Sequence, residues 1–243
     1  MVVISVVMPA FNESEGIAEF ILELTSELKS YEPSFIVVDD CSTDSTFETV
    51  SALSLLYPSI DVHRNETNLG HGPSTILALK YGLASKAEII VAIDGDGQFR
   101  GKDVKRAVDE ISHSNFDIVE GVRVDREDPF FRNLISSITR ILIYLRSRKL
   151  PQDGNTPLRI YRAHILNEIL PKLQEFSPVP NLYISAYARS NDLRILEIHV
   201  ESIKRRGSTP NGSTWNTTKT KIPSKKFLKF CFAALRSWTK KSL

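Results

Sequence analysis

The run Ile89-Ile90-Val91-Ala92-Ile93 is apolar, mostly β-branched and of strand length, and it stops abruptly on Asp94-Gly95-Asp96-Gly97-Gln98. A buried strand that ends this way carries negative charge to the carboxyl edge of a sheet, which is where open α/β folds hold their ligands. Two carboxylates two residues apart, with the Gln98 amide oxygen, form an oxygen-rich group suited to Mg²⁺ or Mn²⁺. The small Gly95 lets a phosphate-bearing ligand approach the backbone. The plain alternative is a β-turn, since Asp and Gly are common turn formers. The rest of the chain decides between the two.

The first half alternates strand and helix patterns. Strands are expected over Val2–Met8, Phe35–Val38, Ile60–His63 and Glu88–Ile93, with helices over Ile17–Lys29, Thr46–Leu56 and about Ser74–Ser85. Asp44 or Ser45 is available to cap the second helix. This order predicts an α/β fold: a mostly parallel, twisted sheet with helices on both faces. Further on, helices are expected at Val104–Ser112, Arg132–Leu145, Ile160–Leu170 and Leu182–Ser190, and strands at Asp117–Glu120 and Arg194–Val200. No glycine-rich dinucleotide fingerprint follows the first strand, which weighs against hydride transfer.

Three strand ends bring acids to one edge of that sheet: Asn12-Glu13, Asp39-Asp40 with Asp44, and Asp94 with Asp96. Like charges gathered in one crevice raise each other's pKa, so the cluster makes most sense around a cation. A nucleotide-diphosphate sugar with its divalent metal meets that demand.

Charge is divided unevenly. The first 201 residues carry a net −9 and the last 42 carry +11, with no Asp or Glu after Glu201. Residues 204–224 are rich in Ser, Thr, Asn and Pro and read as a mobile connector between a domain at 1–203 and a basic helix at 225–243. In that helix Phe227, Phe230, Cys231, Ala234, Leu235 and Trp238 form one apolar stripe flanked by Lys225, Lys226, Lys229, Arg236, Lys240 and Lys241. Such a pattern suits an anionic membrane surface, and the alternative is an apolar stripe packed on the domain. No nucleic-acid partner is expected. Two cysteines give no disulfide framework, no apolar run is long enough to span a bilayer, and no secretory leader precedes the first strand. The expected location is cytoplasmic, peripheral on the cytosolic face of a membrane.

Four ordered motifs carry a family resemblance over roughly residues 3–165: Val7-Met8-Pro9-Ala10-Phe11-Asn12-Glu13, Val38-Asp39-Asp40-Cys41-Ser42-Thr43-Asp44, Asn68-Leu69-Gly70 and Asp94-Gly95-Asp96-Gly97-Gln98. Together they resemble the motifs of family 2 inverting glycosyltransferases, whose fold is GT-A. Within that family Gly121-Val122-Arg123, Arg132 with Ser136, and Asp153 with Leu158-Arg159-Ile160-Tyr161-Arg162 resemble segments of the dolichol- and polyprenyl-phosphate glycosyltransferases.

The resemblance implies roles. Pro9, Phe11, Glu13, Val37 and Asp39 would hold the nucleotide, and Asp94, Gly95, Asp96 and Arg123 its diphosphate. Asp94, Asp96 and Gln98 would bind Mg²⁺ or Mn²⁺. Arg132, Ser136 and Arg159 would dock a lipid phosphate acceptor, and Asp96, Arg123 and Asp153 would be catalytic. Phe11 stands where the family usually has Tyr, and Lys204-Arg205-Arg206-Gly207-Ser208-Thr209-Pro210 lacks the family's final Lys. Transfer to a glycan hydroxyl with Asp153 as base, or a silent membrane-bound scaffold, are the competing expectations.

Overall fold

The computed structural model describes residues 2–124 and 130–207 together with Trp238, and for 130–135 the backbone alone. Seven strands form one sheet: β1 (Ile4–Ala10), β2 (Ser34–Asp39), β3 (Ile60–Arg64), β4 (Ile89–Ala92), β5 (Ile118–Val124), β6 (Arg159–Arg162) and β7 (Ile195–Glu201). Their spatial order is β3-β2-β1-β4-β6-β5-β7. β6 is antiparallel to both of its neighbours, and every other pairing is parallel.

Seven α-helices accompany the sheet among the described residues: α1 (Ile17–Glu27), α2 (Thr46–Leu56), α3 (His71–Ala84), α4 (Gly101–Ser112), α5 (Phe130–Ser147), α6 (Ala163–Ile169) and α7 (Pro180–Ser190). One apolar layer joins Phe20 and Leu24 of α1 and Val104 and Val108 of α4 to Val6, Val37 and Val91. The other joins Leu79 of α3, Leu166 of α6 and Ile184 of α7 to Val7, Val38 and Ile90. The inner strands β1 and β4 are buried on both faces, which is why they read as continuous rather than alternating apolar runs, whereas the edge strands β3 and β7 are only partly buried.

Two features differ from the pattern reading. Ile160–Leu170 was expected to be one helix, but its first residues form β6 and only Ala163–Ile169 coils. Ile160 packs on one face of the sheet, while Arg159 and Tyr161 point to the other, so period two prevails over a run too short to distinguish the periods. Helix α3 begins at His71 rather than near Ser74. Asp40 explains the early start: its carboxylate accepts from Leu69 N–H and Gly70 N–H, each at 2.8 Å, and from Asn65 Nδ2 at 2.9 Å. Gly70 takes φ +90°, a conformation that a side chain would strain.

The strand order reverses between β1 and β4, because β2 and β3 lie to one side of β1 and β4 to the other. That switch point opens a crevice at the carboxyl ends of the two strands. Since β6 runs against its neighbours, the loop that precedes it, residues 151–158, arrives at the same edge.

Candidate active site

Asp94 and Asp96 sit just past β4 at the switch point. Gly95 N–H donates to Pro9 C=O at 3.1 Å, and a Cβ at Gly95 would lie 3.1 Å from that of Ala10, so any larger residue would push the ends of β1 and β4 apart by a few tenths of an ångström. Asp94 Oδ1 lies 2.9 Å from His71 Nε2, at the first turn of α3. The Asp94 carboxylate holds the His71 pKa above its ordinary value. Burial, with Asp94 alongside, pushes Asp96 up to about 7, while the Arg123 charge pulls the other way. The two acids and Arg123 are therefore electrostatically one site.

Two carboxylates crowded until one resists ionising are a set that a divalent cation would relieve. Among the described residues no three His, Cys, Asp or Glu side chains converge as a protein-only metal cage. A Mg²⁺- or Mn²⁺-type ion is typically held by one or two carboxylates together with substrate phosphates. Gln98, the third expected ligand, donates its backbone N–H to Asp96 Oδ1 at 3.2 Å and its side-chain amide to Ile203 C=O at 3.4 Å.

The β1 and β2 ends form the neighbouring wall. Asp44, one residue before the Ser45 N-cap of α2, accepts from Thr46 N–H at 3.0 Å and also from Ser14 N–H at 3.2 Å. Glu13 donates its own N–H to Thr46 Oγ1 at 2.8 Å, and its carboxylate is paired with Arg205, Nε to Oε2 at 2.8 Å. Arg206 continues this strap: it reaches Glu19 at 2.6 Å, contacts Glu23, and donates to Gly97 C=O at 3.2 Å. The sequence sets both arginines in a late family-like segment but does not show their partners, which lie more than 100 residues away along the chain. Asp39 is wholly buried against Ser42 N–H and Arg64 Nε, both at 3.3 Å, and burial holds its pKa up. Pro9 lies within β1, and Phe11 is half-buried just beyond it.

Opposite the acids, Arg123 at the end of β5 grips Asp153 through two bonds, Nε to Oδ2 at 2.7 Å and Nη2 to Oδ1 at 3.1 Å. They line a cavity of about 200 Å³ with Ser136, Ser137, Arg140, Gln152 and Gly154. Arg140 donates Nε to Pro151 C=O at 2.8 Å. Arg140 was not among the expected phosphate contacts, although its spacing from Ser136, four residues along a helix, places both on one face.

Two expected site residues are placed elsewhere. The Val37 side chain is fully buried in the apolar layer under α1 and α4. Arg159 is fully buried too, its guanidinium bound to Glu120 at 2.6 Å rather than to the cavity. The Arg132 side chain and the helix expected at 225–243, Trp238 excepted, lie outside the described residues. Trp238, on the stripe expected either at a membrane surface or packed on the domain, lies against Tyr183 with ring centroids 5.1 Å apart and under Arg146 at 5.3 Å. A tilted aromatic pair and a cation over the ring favour that seat on the domain.

Residues 5–170 match the family model described as glycosyl transferase family 2. Similar chains include the undecaprenyl-phosphate 4-deoxy-4-formamido-L-arabinose transferases of Serratia proteamaculans, 26% identical over 82% of this chain, and of Salmonella choleraesuis, 29% identical over 83%. This chain spans about 60% of the length of either relative. An uncharacterized protein of Methanocaldococcus jannaschii is 26% identical, with 86% of this chain and 85% of that one covered. Among solved structures, glucosyl-3-phosphoglycerate synthase from Mycobacterium tuberculosis, in complex with Mn²⁺ and uridine-diphosphate-glucose, superposes with TM-score 0.61 at 20% identity over 86% of this chain and 73% of that one. A mannosyltransferase from Pyrobaculum calidifontis, in complex with GDP-Man and Mn²⁺, gives TM-score 0.58 at 18% identity over 84% and 58%. The fold is GT-A.

Proposed function

The chain belongs to glycosyl transferase family 2, and on that premise we propose that it moves a sugar from a nucleotide-diphosphate donor to a polyprenyl phosphate, with inversion. The observation that carries this reading is the placement of Asp94 and Asp96 at the switch point, with Asp96 within reach of the charge of Arg123, which lines a cavity with Arg140, Ser136 and Asp153. Acids on one side suit a metal-bound diphosphate, and arginines on the other suit a second anion. The undecaprenyl-phosphate transferases among its relatives and the Mn²⁺-bound donors in its structural neighbours support the same assignment.

Asp94 and Asp96, with Gln98 beside them, would hold the divalent cation, which when bound supplies Lewis-acid stabilisation of the charge on the leaving diphosphate. A phosphate monoester acceptor needs no general base, since its second pKa is about 6 and it is already largely ionised near neutrality. It needs docking. Arg123 and Arg140 supply charge-assisted donors, and Ser136 a hydroxyl, at one end of the cavity. Asp153 is engaged by Arg123 through both oxygens, which favours an orienting role over that of a base. Past the cavity, Ile138, Ile141 and Leu145 are exposed along α5, an apolar track suited to a prenyl chain. Among the described residues no helix is long and apolar enough to cross a membrane. The basic segment 225–243 is proposed to meet the anionic surface that holds the acceptor, on the cytosolic face.

The test is transfer from a panel of radiolabelled nucleotide sugars to short polyprenyl phosphates, with Mn²⁺ or EDTA, for wild type and Asp96→Ala. Lipid-linked product that requires metal and disappears in the variant is the expected result. Donor hydrolysis without any lipid product would discard the acceptor and leave a hydroxyl acceptor in its place.

A further inference from the structure

We infer that Glu120, Arg159, Arg189 and Glu197, four charged residues beneath the cavity, act as a positioning unit that presents Asp153 and Arg123 to the acceptor. The inference rests on the acceptor reading above. Glu120 of β5 is paired in register with Arg159 of β6 on one side and Glu197 of β7 on the other, so all three occupy one row of the sheet. Arg189 of α7 lies over that row. Glu120 accepts from Arg159 Nη1 at 2.6 Å and from Arg189 Nη2 at 2.8 Å, and Arg189 Nη2 also reaches Glu197 at 2.8 Å. Two acids and two arginines form a linked group whose charges balance, and Glu120 and Arg159 are 0% exposed.

A group like this is a poor device for stability alone, because an apolar replacement of the same volume often holds a fold equally well. What it does here is reach into the 151–158 loop. Arg159 donates Nη2 to Gly154 C=O and Nε to Thr156 C=O, both at 3.1 Å. Glu197 accepts from Gln152 N–H at 2.8 Å and from the Gln152 side chain at 3.2 Å. Three positions in a five-residue stretch are therefore tied to the charged row, and Asp153 lies between two of them. Arg123, which also donates to Asn155 C=O at 3.3 Å, is aimed by the same loop. Loop carbonyls bonded to a rigid, buried guanidinium cannot drift, and the cavity floor inherits that rigidity.

The experiment uses the full chain carrying Glu120→Leu, Arg159→Met, Arg189→Met and Glu197→Gln together, which removes all four charges without stranding one of them, and Glu120→Gln as a second, near-isosteric variant. Hydrogen exchange of the loop amides, above all Gln152 and Asn155, is followed by mass spectrometry together with nucleotide binding and acceptor kinetics. The expected result is at least tenfold faster exchange confined to 152–158, unchanged Mn²⁺-dependent UDP or GDP affinity, and a tenfold or larger rise in KM for the acceptor with a smaller change in kcat. Unchanged loop exchange in both variants would overturn the inference. Faster exchange spread over the whole sheet would overturn it as well, by making the group a general brace for the fold. If wild type transfers nothing to a polyprenyl phosphate, the acceptor reading falls, and the exchange pattern still decides whether these four residues hold the loop.

Discussion

Arg123 and Asp153 meet edge to edge, with two bonds of 2.7 and 3.1 Å between a guanidinium and a carboxylate 30 residues apart in sequence. Both side chains are more than four-fifths buried, so each fixes the other's direction at the cavity wall. Asp153→Asn keeps the shape and removes the charge. The acceptor KM is expected to rise about tenfold, the size of one lost charge-assisted bond, with turnover within a few-fold of wild type. A hundredfold or larger loss of turnover at saturating acceptor would instead make Asp153 a general base.

Asp96 is held up near 7 by burial beside Asp94. Mn²⁺ with UDP or GDP at about 100 times the dissociation constant should raise wild-type stability by about 2.7 kcal/mol, seen as a shift in Tm of several degrees. Asp96→Ala is expected to lose the metal-dependent part of that shift. Equal shifts in both proteins would place the ion elsewhere.

Arg206 ties the segment after β7 to α1 through Glu19 and Glu23. Substituting both, Glu19→Gln with Glu23→Gln, leaves the trypsin sites at Lys204, Arg205 and Arg206 intact. Cleavage there is expected to accelerate at least fivefold under native conditions. Unchanged cleavage would mean that the Glu13–Arg205 pair is sufficient to hold the strap.

Arg194 hydrogen-bonds Asp117 and holds its carboxyl below the usual value. A carboxylate depressed in the folded state contributes stability above its unfolded pKa of about 3.9, lost as pH falls through the folded value. The difference in urea midpoint between wild type and Arg194→Leu should therefore be constant from pH 7 to 5 and shrink below pH 4. A difference independent of pH would assign the effect to packing.

Deleting residues 225–243 is expected to release the protein from vesicles containing anionic lipid while leaving nucleotide binding unchanged, as read by co-sedimentation and calorimetry. Co-sedimentation equal to wild type would assign the whole segment the domain-packing role that Trp238 already shows.

Much of the donor half was legible in one dimension. Runs such as Ile89–Ile93 must be strands buried on both faces, and a parallel sheet brings their carboxyl ends, with Asp39, Asp94 and Asp96, to one edge. The acceptor half was not. Ile160–Leu170 fits either period over its first residues, so neither the β6 reversal nor the arrival of the 151–158 loop beside β4 is written in local spacing.

Arg159 shows the consequence. As a lone arginine near Asp153 it reads as a phosphate contact, but strand parity turns it away from the cavity, and in-register pairing sets it against Glu120. Local pattern determined which residues form the first four strands and which acids end them. Direction, register and face, set by long-range burial and pairing, decided which charges touch a ligand and which only hold the others in place.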